Sequence, residues 1–341
     1  MIDFLGSGAL NLDLFFELND LSMARDAGFP LYPGREISGD RETAERLADF
    51  LGHHGSLVAK SGGGSAANTT YILSSLGWQT AFLGMAGKDM EGDFVLDSMK
   101  GVDTGMVAQE GKSALCLVII EKKERDRAMF VAPVDAPDLF SRLSMQEVPR
   151  ARIVHLSSLV REDGFIFHKH LINHLHEEVI LTLDPGEIYA QRGFLELSKL
   201  LKRTDILFLT EKEIEILTGK DLMDGMEMLY SALHNPFSEN AFFKEAGGPV
   251  LVCKMGKNGA RFYSKGLIFE LPAEKVEKIV DNTGAGDAFN AGFLDAVLRG
   301  AGARECLRSG IHLAALSLSG YGRDWLNLNY ALKMPNKNVF V

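Results

Sequence analysis

The chain has 341 residues, of which 46% are hydrophobic and 24% are charged, and its formal net charge is −10. This composition excludes a disordered chain, and the acidic balance argues against a nucleic-acid partner. Three widely spaced cysteines, with no apolar run of membrane-spanning length, predict reduced thiols, no membrane partner and a cytoplasmic location.

Short apolar segments alternate with helical patterns along most of the chain. Met1–Gly8 is the first predicted strand, and a predicted helix with apolar residues between Thr69 and Leu76 ends at Gly77. Further predicted strands are Trp78–Met85, Arg152–Leu156, Val179–Leu183, Ile206–Leu209 and Val250–Lys254. This order predicts parallel βαβ units in an α/β fold, with helices on both faces of the sheet and ligand sites beyond the carboxyl ends of the strands.

Two stretches break this alternation and predict a small lid that excludes water from the site. The segments Ser113–Ile120 and Arg127–Ala132 flank a polar turn and predict a hairpin. The segment from Leu14 to Lys60 contains prolines, glycines and one helical pattern at Arg41–Leu51. The predicted division of the chain is a core of residues 1-13, 62-111 and 133-341 and a lid of residues 14-61 and 112-132.

Two clusters near the amino terminus are candidate substrate sites. Asn11 and Asp13 follow the first predicted strand, where a carboxylate could accept hydrogen bonds from two sugar hydroxyls, although both residue types are also common in turns. Gly63 and Gly64 belong to a glycine run that permits close ligand contact, and Asn68 follows with donor and acceptor groups suited to hydroxyls. The alternative for this run is a flexible linker, although it leads directly into an amphipathic helix.

Two later segments are candidate sites for a phosphate donor. After the strand that ends near residue 209, Glu213 lies in an acidic helix start, where it either stabilises the helix dipole or holds Mg²⁺ through water. A tight turn at residues 256-259 carries Gly256 and Gly259, against which a nucleotide could lie. Lys254 precedes this turn and either reaches the donor phosphates or is an ordinary surface lysine.

A glycine-rich turn late in the chain is the most informative segment. The alternation in Lys275–Val280 predicts a half-buried strand, and the apolar spacing after Asp287 predicts a helix. Gly284, Ala285 and Gly286 would leave the first N–H groups of that helix open to an anion such as phosphate. Asp287 is either an acidic residue that favours the helix dipole or a general base that takes a proton from a hydroxyl attacking the phosphate.

Four histidines, His168, His170, His174 and His176, occupy one predicted helical stretch. His170 and His174 share a helix face and could form a metal pair, but no nearby cysteine or carboxylate completes a tetrahedral set. We therefore expect a solvated helix face rather than a metal site.

The order of these clusters resembles the ribokinase-like (PfkB) carbohydrate kinase family over nearly the whole chain. The early Gly-Gly-x-x-x-Asn turn and the late Asn-Thr-Gly-Ala-Gly-Asp turn resemble the two family signatures. Residues 83-93 match the family pattern Gly-x-x-Gly-x-Asp-x-x-Gly, and residues 182-186 and 213-219 look like family segments. The resemblance implies a three-layer αβα ribokinase-like fold with a mostly parallel central sheet and a small β-rich lid.

The resemblance also implies roles for individual residues. Asp287 matches the catalytic base of the family, and the backbone N–H groups of Gly284, Ala285 and Gly286 match its anion hole. The positions that match substrate contacts are Asn11, Asp13, Gly63, Gly64 and Asn68. The expected cofactor-binding residues are Thr210 and Glu213, which fall on a motif associated with Mg²⁺ and phosphate, together with Lys254, Gly256, Gly259 and Asn282. Asp281 and Thr283 match positions that bind a monovalent cation such as K⁺ in some members.

Three residues depart from the family pattern. Thr210 replaces the usual Asn, Asn282 replaces a common Thr, and Lys254 replaces the usual Thr or Ser. The lysine resembles kinases of ketodeoxy sugar acids, whereas the long helical insertion between Asp13 and Gly63 resembles adenosine kinases. These two features indicate different substrates.

The sequence therefore predicts a kinase that uses ATP and Mg²⁺ to phosphorylate a primary hydroxyl of a carbohydrate. The small-molecule acceptor is a sugar, a sugar acid or a nucleoside, and the alternative from another class is a catalytically silent sugar- or nucleotide-binding relative. Lid hairpins of the family often pair between subunits, which implies a homodimer, although the longer insertion could cover that edge instead.

Overall fold

The structure is a computed structural model that describes residues 2–123, 127–136, 148, 150–233 and 241–328. Its strands are β1 (Ile2–Ser7), β2 (Asn11–Leu18), β3 (Glu36–Ser38), β4 (Ser56–Gly63), β5 (Thr80–Ala86), β6 (Val102–Gln109), β7 (Ala114–Glu121), β8 (Arg127–Ala132), β9 (Ala151–Ser157), β10 (Ile180–Asp184), β11 (Ile206–Thr210), β12 (Val250–Lys254), β13 (Ala260–Ser264) and β14 (Leu267–Leu271). Its helices are α1 (Ser22–Asp26), α2 (Arg41–His54), α3 (Ser65–Ser75), α4 (Met90–Asp97), α5 (Glu162–Leu171), α6 (Gly186–Ala190), α7 (Phe194–Leu201), α8 (Glu211–Thr218), α9 (Leu222–Ala232), α10 (Ala241–Ala246), α11 (Ala285–Leu298), α12 (Ala303–Ser317) and α13 (Trp325–Leu328).

A nine-stranded sheet forms the centre of the molecule, in the order β14-β13-β12-β11-β10-β9-β1-β5-β6. The strand pairs from β12 through β6 are parallel, and the pairs β12–β13 and β13–β14 are antiparallel. Parallel strands need crossover connections, which the intervening helices supply. The mostly parallel central sheet predicted from the sequence is confirmed.

Both faces of this sheet are covered, because successive side chains of a strand point to opposite sides. In β1, Leu5 packs into one core and Phe4 into the other. In β11 the even-numbered Phe208 joins the core of Phe4, and the odd-numbered Leu207 joins the core of Leu5. Helices α5, α7, α8 and α9 cover the face of Leu5, and α3, α10, α11 and α12 cover the other face. The result is a three-layer αβα fold.

A separate five-stranded sheet has the order β3-β8-β7-β2-β4. Helix α2 covers one face, where its Leu47 and Leu51 pack in a core with Leu117 of β7. The opposite face carries Phe15 of β2 and, two residues earlier on the same strand, Asp13. This sheet therefore presents a carboxylate on the face that α2 does not cover.

The strands predicted from the sequence are confirmed to within two or three residues at their ends, and the hairpin is the antiparallel pair β7–β8. The helical pattern at Arg41–Leu51 is also confirmed as part of α2. The predicted strand Lys275–Val280 is wrong, because β14 already forms the sheet edge and the N–H of Val280 donates to the Leu318 carbonyl beyond α12. Ile279 is 56% exposed, so this alternation does not produce a buried face.

Glycine at position 292 allows α11 and α12 to pack closely. A Cβ at Gly292 would lie 2.4 Å from the Ser309 carbonyl oxygen, which is backbone and cannot rotate away. We expect Gly292→Ala to lower the free energy of unfolding by about 1–3 kcal/mol through overpacking. Urea denaturation followed by circular dichroism measures this loss.

The matched control is Gly52→Ala in α2, where an added Cβ meets no atom within 4 Å. Because alanine favours a helix interior, this variant should gain roughly 0.5–1 kcal/mol. Equal effects of the two substitutions would contradict the packing explanation.

Candidate active site

The candidate site forms where α3 and α11 begin, near the carboxyl ends of the central strands. Gly64 precedes α3 with a φ of 100°, and Gly284 precedes α11 with a φ of 77°. Both angles lie in the left-handed region, which favours glycine over residues with a Cβ. The two glycine clusters predicted from the sequence therefore start two helices whose first turns meet at one carboxylate.

Asp287, in the first turn of α11, is that carboxylate. Its Oδ1 accepts a hydrogen bond from Ser65 Oγ at 2.7 Å, and its Oδ2 accepts one from Asn68 Nδ2 at 2.8 Å. Burial raises the pKa of Asp287 to about 6, although the bonds from Asn68 and Ser65 oppose that rise. An ionised carboxylate with this pKa is suited to accept a proton near neutral pH.

Asn11 and Asp13 lie on β2 with unsatisfied oxygens. Both side chains are buried, and the Oδ1 atom of each has no hydrogen-bond partner in the part of the chain that the structure describes. Burial raises the pKa of Asp13 to about 8, and the charge of Arg323 opposes this rise. Buried acceptors without partners are costly, which fits a position that receives donors from a bound hydroxyl compound.

The absence of a side chain at Gly63 and Gly64 leaves room for neighbouring groups of the protein. A Cβ at Gly63 would lie 1.9 Å from the Asp13 carboxylate, and a Cβ at Gly64 would lie 2.0 Å from the Ala9 carbonyl oxygen. The sequence predicted that a ligand approaches the backbone closely here. At both positions it is instead another part of the protein that lies against the glycine. Their contact with a substrate stays a prediction.

Lys254 pairs with Asp184, and so it is not an ordinary surface lysine. Its Nζ lies 2.5 Å from Asp184 Oδ2, which also accepts a 2.6 Å bond from Asn290 Nδ2 of α11. Burial acts to raise the pKa of Asp184, but the ion pair and hydrogen bonds outweigh it and hold that pKa below its usual value. A Cβ at Gly286 would lie 3.4 Å from Lys254 Nζ, so the ammonium group borders the first turn of α11.

Thr210 and Glu213 form a capping box at the start of α8. Thr210 Oγ1 accepts from the Glu213 N–H at 3.2 Å, and Glu213 Oε2 accepts from the Thr210 N–H at 2.8 Å. Threonine is a favoured N-cap residue, which gives it a structural role where the family pattern has Asn. Burial, and next the charge of Asp184, raise the pKa of Glu213, so this carboxylate lies close to the Asp184–Lys254 pair.

Hydrogen bonds within the segment before α11, and one hydrogen bond from β8, hold that segment in place. Asp281 Oδ1 accepts from the N–H and the Oγ1 of Thr283 at 3.0 and 2.8 Å, while its buried Oδ2 has no partner among the described residues. The Asn282 side-chain oxygen accepts a hydrogen bond from Arg127 of β8, which links this segment to the five-stranded sheet. The N–H of Ala285 donates a long 3.3 Å bond to the Asn282 carbonyl.

Gly256 and Gly259 bound the 3₁₀ turn Gly256–Asn258 that joins β12 to β13, as the sequence predicted. Gly259 has a φ of 100°, and a Cβ there would lie 2.0 Å from the Leu271 carbonyl oxygen. Backbone packing is sufficient to explain Gly259. Contact of this turn with a nucleotide stays a prediction.

The histidine cluster divides into two kinds of position. α5 ends at Leu171, so His174 and His176 lie beyond the helix in which all four were predicted. His168 is fully buried and bonds to Ser7 Oγ at 3.1 Å and Tyr189 Oη at 3.0 Å, so the expected solvated face is wrong for this residue. Within the described ranges, no three His, Cys, Asp or Glu side chains are grouped to hold a metal ion.

Four residues of the site were not identified from the sequence as site residues. They are Ser65, Asp184, Asn290 and Arg323. Asp184 was noted only within a family-like segment, and its position at the end of β10 was the available signal. Arg323 lies in the loop before α13, and its Nε donates to Asn68 Oδ1 at 2.9 Å. No sequence pattern distinguishes this buried arginine from a surface one.

Comparison with known proteins identifies the family. The model of the pfkB family carbohydrate kinases matches residues 42–324. An uncharacterized sugar kinase from Archaeoglobus fulgidus is 32% identical over 255 residues, which cover 73% of this chain and 95% of the relative. The chain therefore belongs to the pfkB family of carbohydrate kinases.

Solved structures agree on the fold. Adenosine kinase from Sinorhizobium meliloti superposes with a TM-score of 0.82 at 19% identity, covering 97% of this chain and 99% of that chain. Arabidopsis thaliana ribokinase complexed with ribose and ATP superposes with a TM-score of 0.70 at 19% identity, covering 98% and 99%. The ribokinase-like three-layer fold is thus confirmed. Among the described residues, no helix has the length and apolarity to cross a membrane.

The ion pair between Lys254 and Asp184 makes a testable contribution to stability. We expect Lys254→Met to cost about 3–5 kcal/mol near neutral pH, because it leaves a buried carboxylate without its cation. In the unsubstituted protein the lowered pKa of Asp184 stabilises the fold at neutral pH, and this contribution is lost as the pH falls. That loss begins only as the pH falls below the usual aspartate pKa of 3.8. The deficit of the variant should therefore be similar at about pH 7.5 and about pH 5 and should shrink at about pH 3, as urea denaturation at these pH values would show.

The control is the double variant Asp184→Asn with Lys254→Met, which removes both charges. It should lose less stability than Lys254→Met alone at neutral pH. Additive losses from the two single substitutions would contradict a coupled pair.

Proposed function

We propose that this protein is an ATP-dependent kinase that transfers the γ-phosphoryl group to a primary hydroxyl of a carbohydrate. The observation that carries the proposal is Asp287, a carboxylate with a raised pKa at the N-terminus of α11. A carboxylate beside an anion-binding helix end repels a bound phosphate, so its place there needs a chemical reason. Removing a proton from the attacking hydroxyl is such a reason.

Asp287 would act as the general base. Ser65 and Asn68 each donate to one of its oxygens, which fixes the plane of the carboxylate. Each oxygen keeps a second lone pair, so a hydroxyl can still approach. The raised pKa makes the carboxylate a stronger base while it stays ionised at neutral pH.

The phosphate side of the site would be formed by backbone and one cation. The N–H groups of Gly284, Ala285 and Gly286 lie at the start of α11, where the helix dipole favours negative charge. Lys254 adds a largely buried ammonium group beside Gly286, with its side chain 11% exposed. Together they would balance the charge that develops on the transferring group.

The residues present fit ATP and its metal ion. Lys254 and the first turn of α11 suit a polyphosphate, and the turn with Gly256 and Gly259 lies directly after Lys254 in the chain. Glu213 would hold Mg²⁺ through water, and Mg²⁺ when bound would neutralise phosphate charge. The unpartnered Oδ2 of Asp281 fits a ligand of a monovalent cation such as K⁺ beside Thr283.

The acceptor would bind between the two sheets, with the five-stranded sheet as the lid. Asn11 and Asp13 come from β2 of that sheet, and their unpartnered oxygens would accept hydrogen bonds from the hydroxyls of the acceptor. Contacts between the lid region and the α/β core include Arg127 with Asn282 and Arg35 with Glu187. These contacts would help to exclude water from the transfer.

A nucleoside is the second candidate acceptor, and one feature favours it. A pocket beside Asn11 is lined mainly by apolar side chains, including Met85, Val131 and Leu159. The pocket has a volume of about 30 Å³, so a nucleobase attached to the sugar could bury its rings there only if these side chains moved apart. The Sinorhizobium meliloti protein with a similar fold is an adenosine kinase.

Replacement of the proposed base tests its role. We expect Asp287→Asn to lower kcat about 10²–10⁴-fold, because the amide cannot accept the proton. The melting temperature should stay close to that of the unsubstituted protein, since the amide has nearly the same volume. Asp97→Asn, at an exposed position that ends α4, is the matched control and should retain full activity. Full activity of a folded Asp287→Asn protein would exclude this base.

An acceptor screen tests the reaction. We expect ADP release with ATP and Mg²⁺ for at least one compound among pentoses, hexoses, keto sugar acids and nucleosides. Turnover of nucleosides alone would select the second candidate. Binding of an acceptor by calorimetry without turnover of any compound would show a sensor and overturn the kinase proposal.

A further inference from the structure

Arg323 is a buried cation behind the proposed base. It lies in the loop between α12 and α13 and is 8% exposed. Its Nη1 donates to the carbonyl oxygen and Oγ of Ser98 at 3.4 and 3.3 Å, and its guanidinium lies 4.8 Å from the centre of the Tyr71 ring. These contacts fix the guanidinium, whose Nε then points at the side-chain oxygen of Asn68.

The contact decides which way the Asn68 amide faces. A guanidinium can only donate hydrogen bonds, and an ionised carboxylate can only accept them. With Arg323 Nε 2.9 Å from Asn68 Oδ1, the amide nitrogen must face Asp287 Oδ2, at 2.8 Å. The flipped amide would place its oxygen against the carboxylate and its N–H₂ group against the guanidinium, so both contacts would be repulsive.

We propose that Arg323 is a positioning residue for phosphoryl transfer, which holds the Asn68 amide so that Asp287 stays oriented and ionised. The inference rests on the proposed kinase function. Arg323 does not touch Asp287 itself and acts through Asn68. Its Nη2 is buried without a partner among the described residues, and its charge acts to lower the pKa of Asp13.

Several charged groups act on Asp287 besides Arg323. They are Asp13 of β2, Glu36 of β3, Asp184 of β10 and Lys254 of β12. Burial raises the pKa of Asp287, and the Asn68 bond is the largest influence that lowers it. Loss of the guanidinium removes a positive charge and frees the amide to turn. Both changes raise the pKa of Asp287 above its present value of about 6.

The direct test is a carboxyl ¹³C NMR titration of the folded protein, with the Asp287 signal assigned by its absence in Asp287→Asn. In Arg323→Met we expect the midpoint of the Asp287 titration to rise by roughly 0.5–1 pH unit. The acid limb of the kcat profile should move by the same amount, with a smaller change in KM. Arg323→Lys, which keeps a donor-only cation, should bring the midpoint back toward that of the unsubstituted protein.

Arg299→Met is the matched control, because Arg299 pairs with Asp295 at the far end of α11. It should leave the Asp287 midpoint unchanged. An unmoved midpoint in folded Arg323→Met would show a purely structural arginine and overturn the inference. If Arg323→Met does not fold, Arg323→Gln replaces it, because it also removes the charge: a raised midpoint supports the inference, and an unmoved midpoint overturns it.

The NMR readout separates this inference from the proposed reaction. If no acceptor yields ADP, the kinase proposal fails, but the Asp287 midpoint still reports whether Arg323 controls the carboxylate. If ADP is released and the midpoint is the same in the variant, only the role of Arg323 fails.

Discussion

A buried carboxylate needs hydrogen-bond donors in place of the water it has lost. The side chains that donate to Asp287 lie on α3, which begins far from it in the chain. Ser65, which donates at 2.7 Å, is separated from it by 222 residues. The starts of α3 and α11 can meet only if both helices lie on the same face of the central sheet, where they share one core. The free-energy cost of burying Asp287 is therefore offset only when the central sheet is correctly assembled.

A second buried polar group lies on the side of the site that we propose binds phosphate. Asp184 at the end of β10, Lys254 at the end of β12 and Asn290 of α11 form one buried polar group. The ends of β10 and β12 are thus both linked to α11, the helix that carries Asp287. Asn290 Oδ1 is buried without a partner among the described residues, so the bonds that the three side chains do make must offset its burial. Small displacements of these side chains are therefore costly. Rigid elements rather than loops therefore hold the groups proposed to do the chemistry.

The fold was largely predictable because its signals are local. Buried apolar strands alternating with helices indicated the parallel sheet, and the polar turn between two apolar runs indicated the β7–β8 hairpin. The prediction for Lys275–Val280 failed because alternation can also arise in an exposed loop. The hydrogen bond from Val280 to Leu318 and the exposure of Ile279 show that this segment is not a strand. Glycines that start helices were identifiable, since a left-handed backbone restricts the residue type.

The site was predictable only in part, because its contacts join distant segments. Asp287 and Asn68 stood out through their glycine turns, yet their direct bond was not visible in either turn. Lys254 left two interpretations open until Asp184 was found 2.5 Å away. Arg323 carried no signal, since burial is a property of the assembled fold. The capping box of Thr210 and Glu213 was predictable only in part. The sequence indicated where the helix starts, but not that the Glu213 side chain bonds back to the Thr210 N–H.

If Asp287 takes a proton from the acceptor hydroxyl as the phosphoryl group is transferred, the rate of transfer must depend on the ionisation of this carboxylate. The most direct measurement is the pH dependence of the single-turnover rate, followed by rapid quench with saturating ATP and the acceptor identified for the enzyme. We expect a rate that increases with pH along one ionisation near the pKa of Asp287, about 6, and then levels off. A transfer rate that stays constant from about pH 5 to about pH 8 would contradict it.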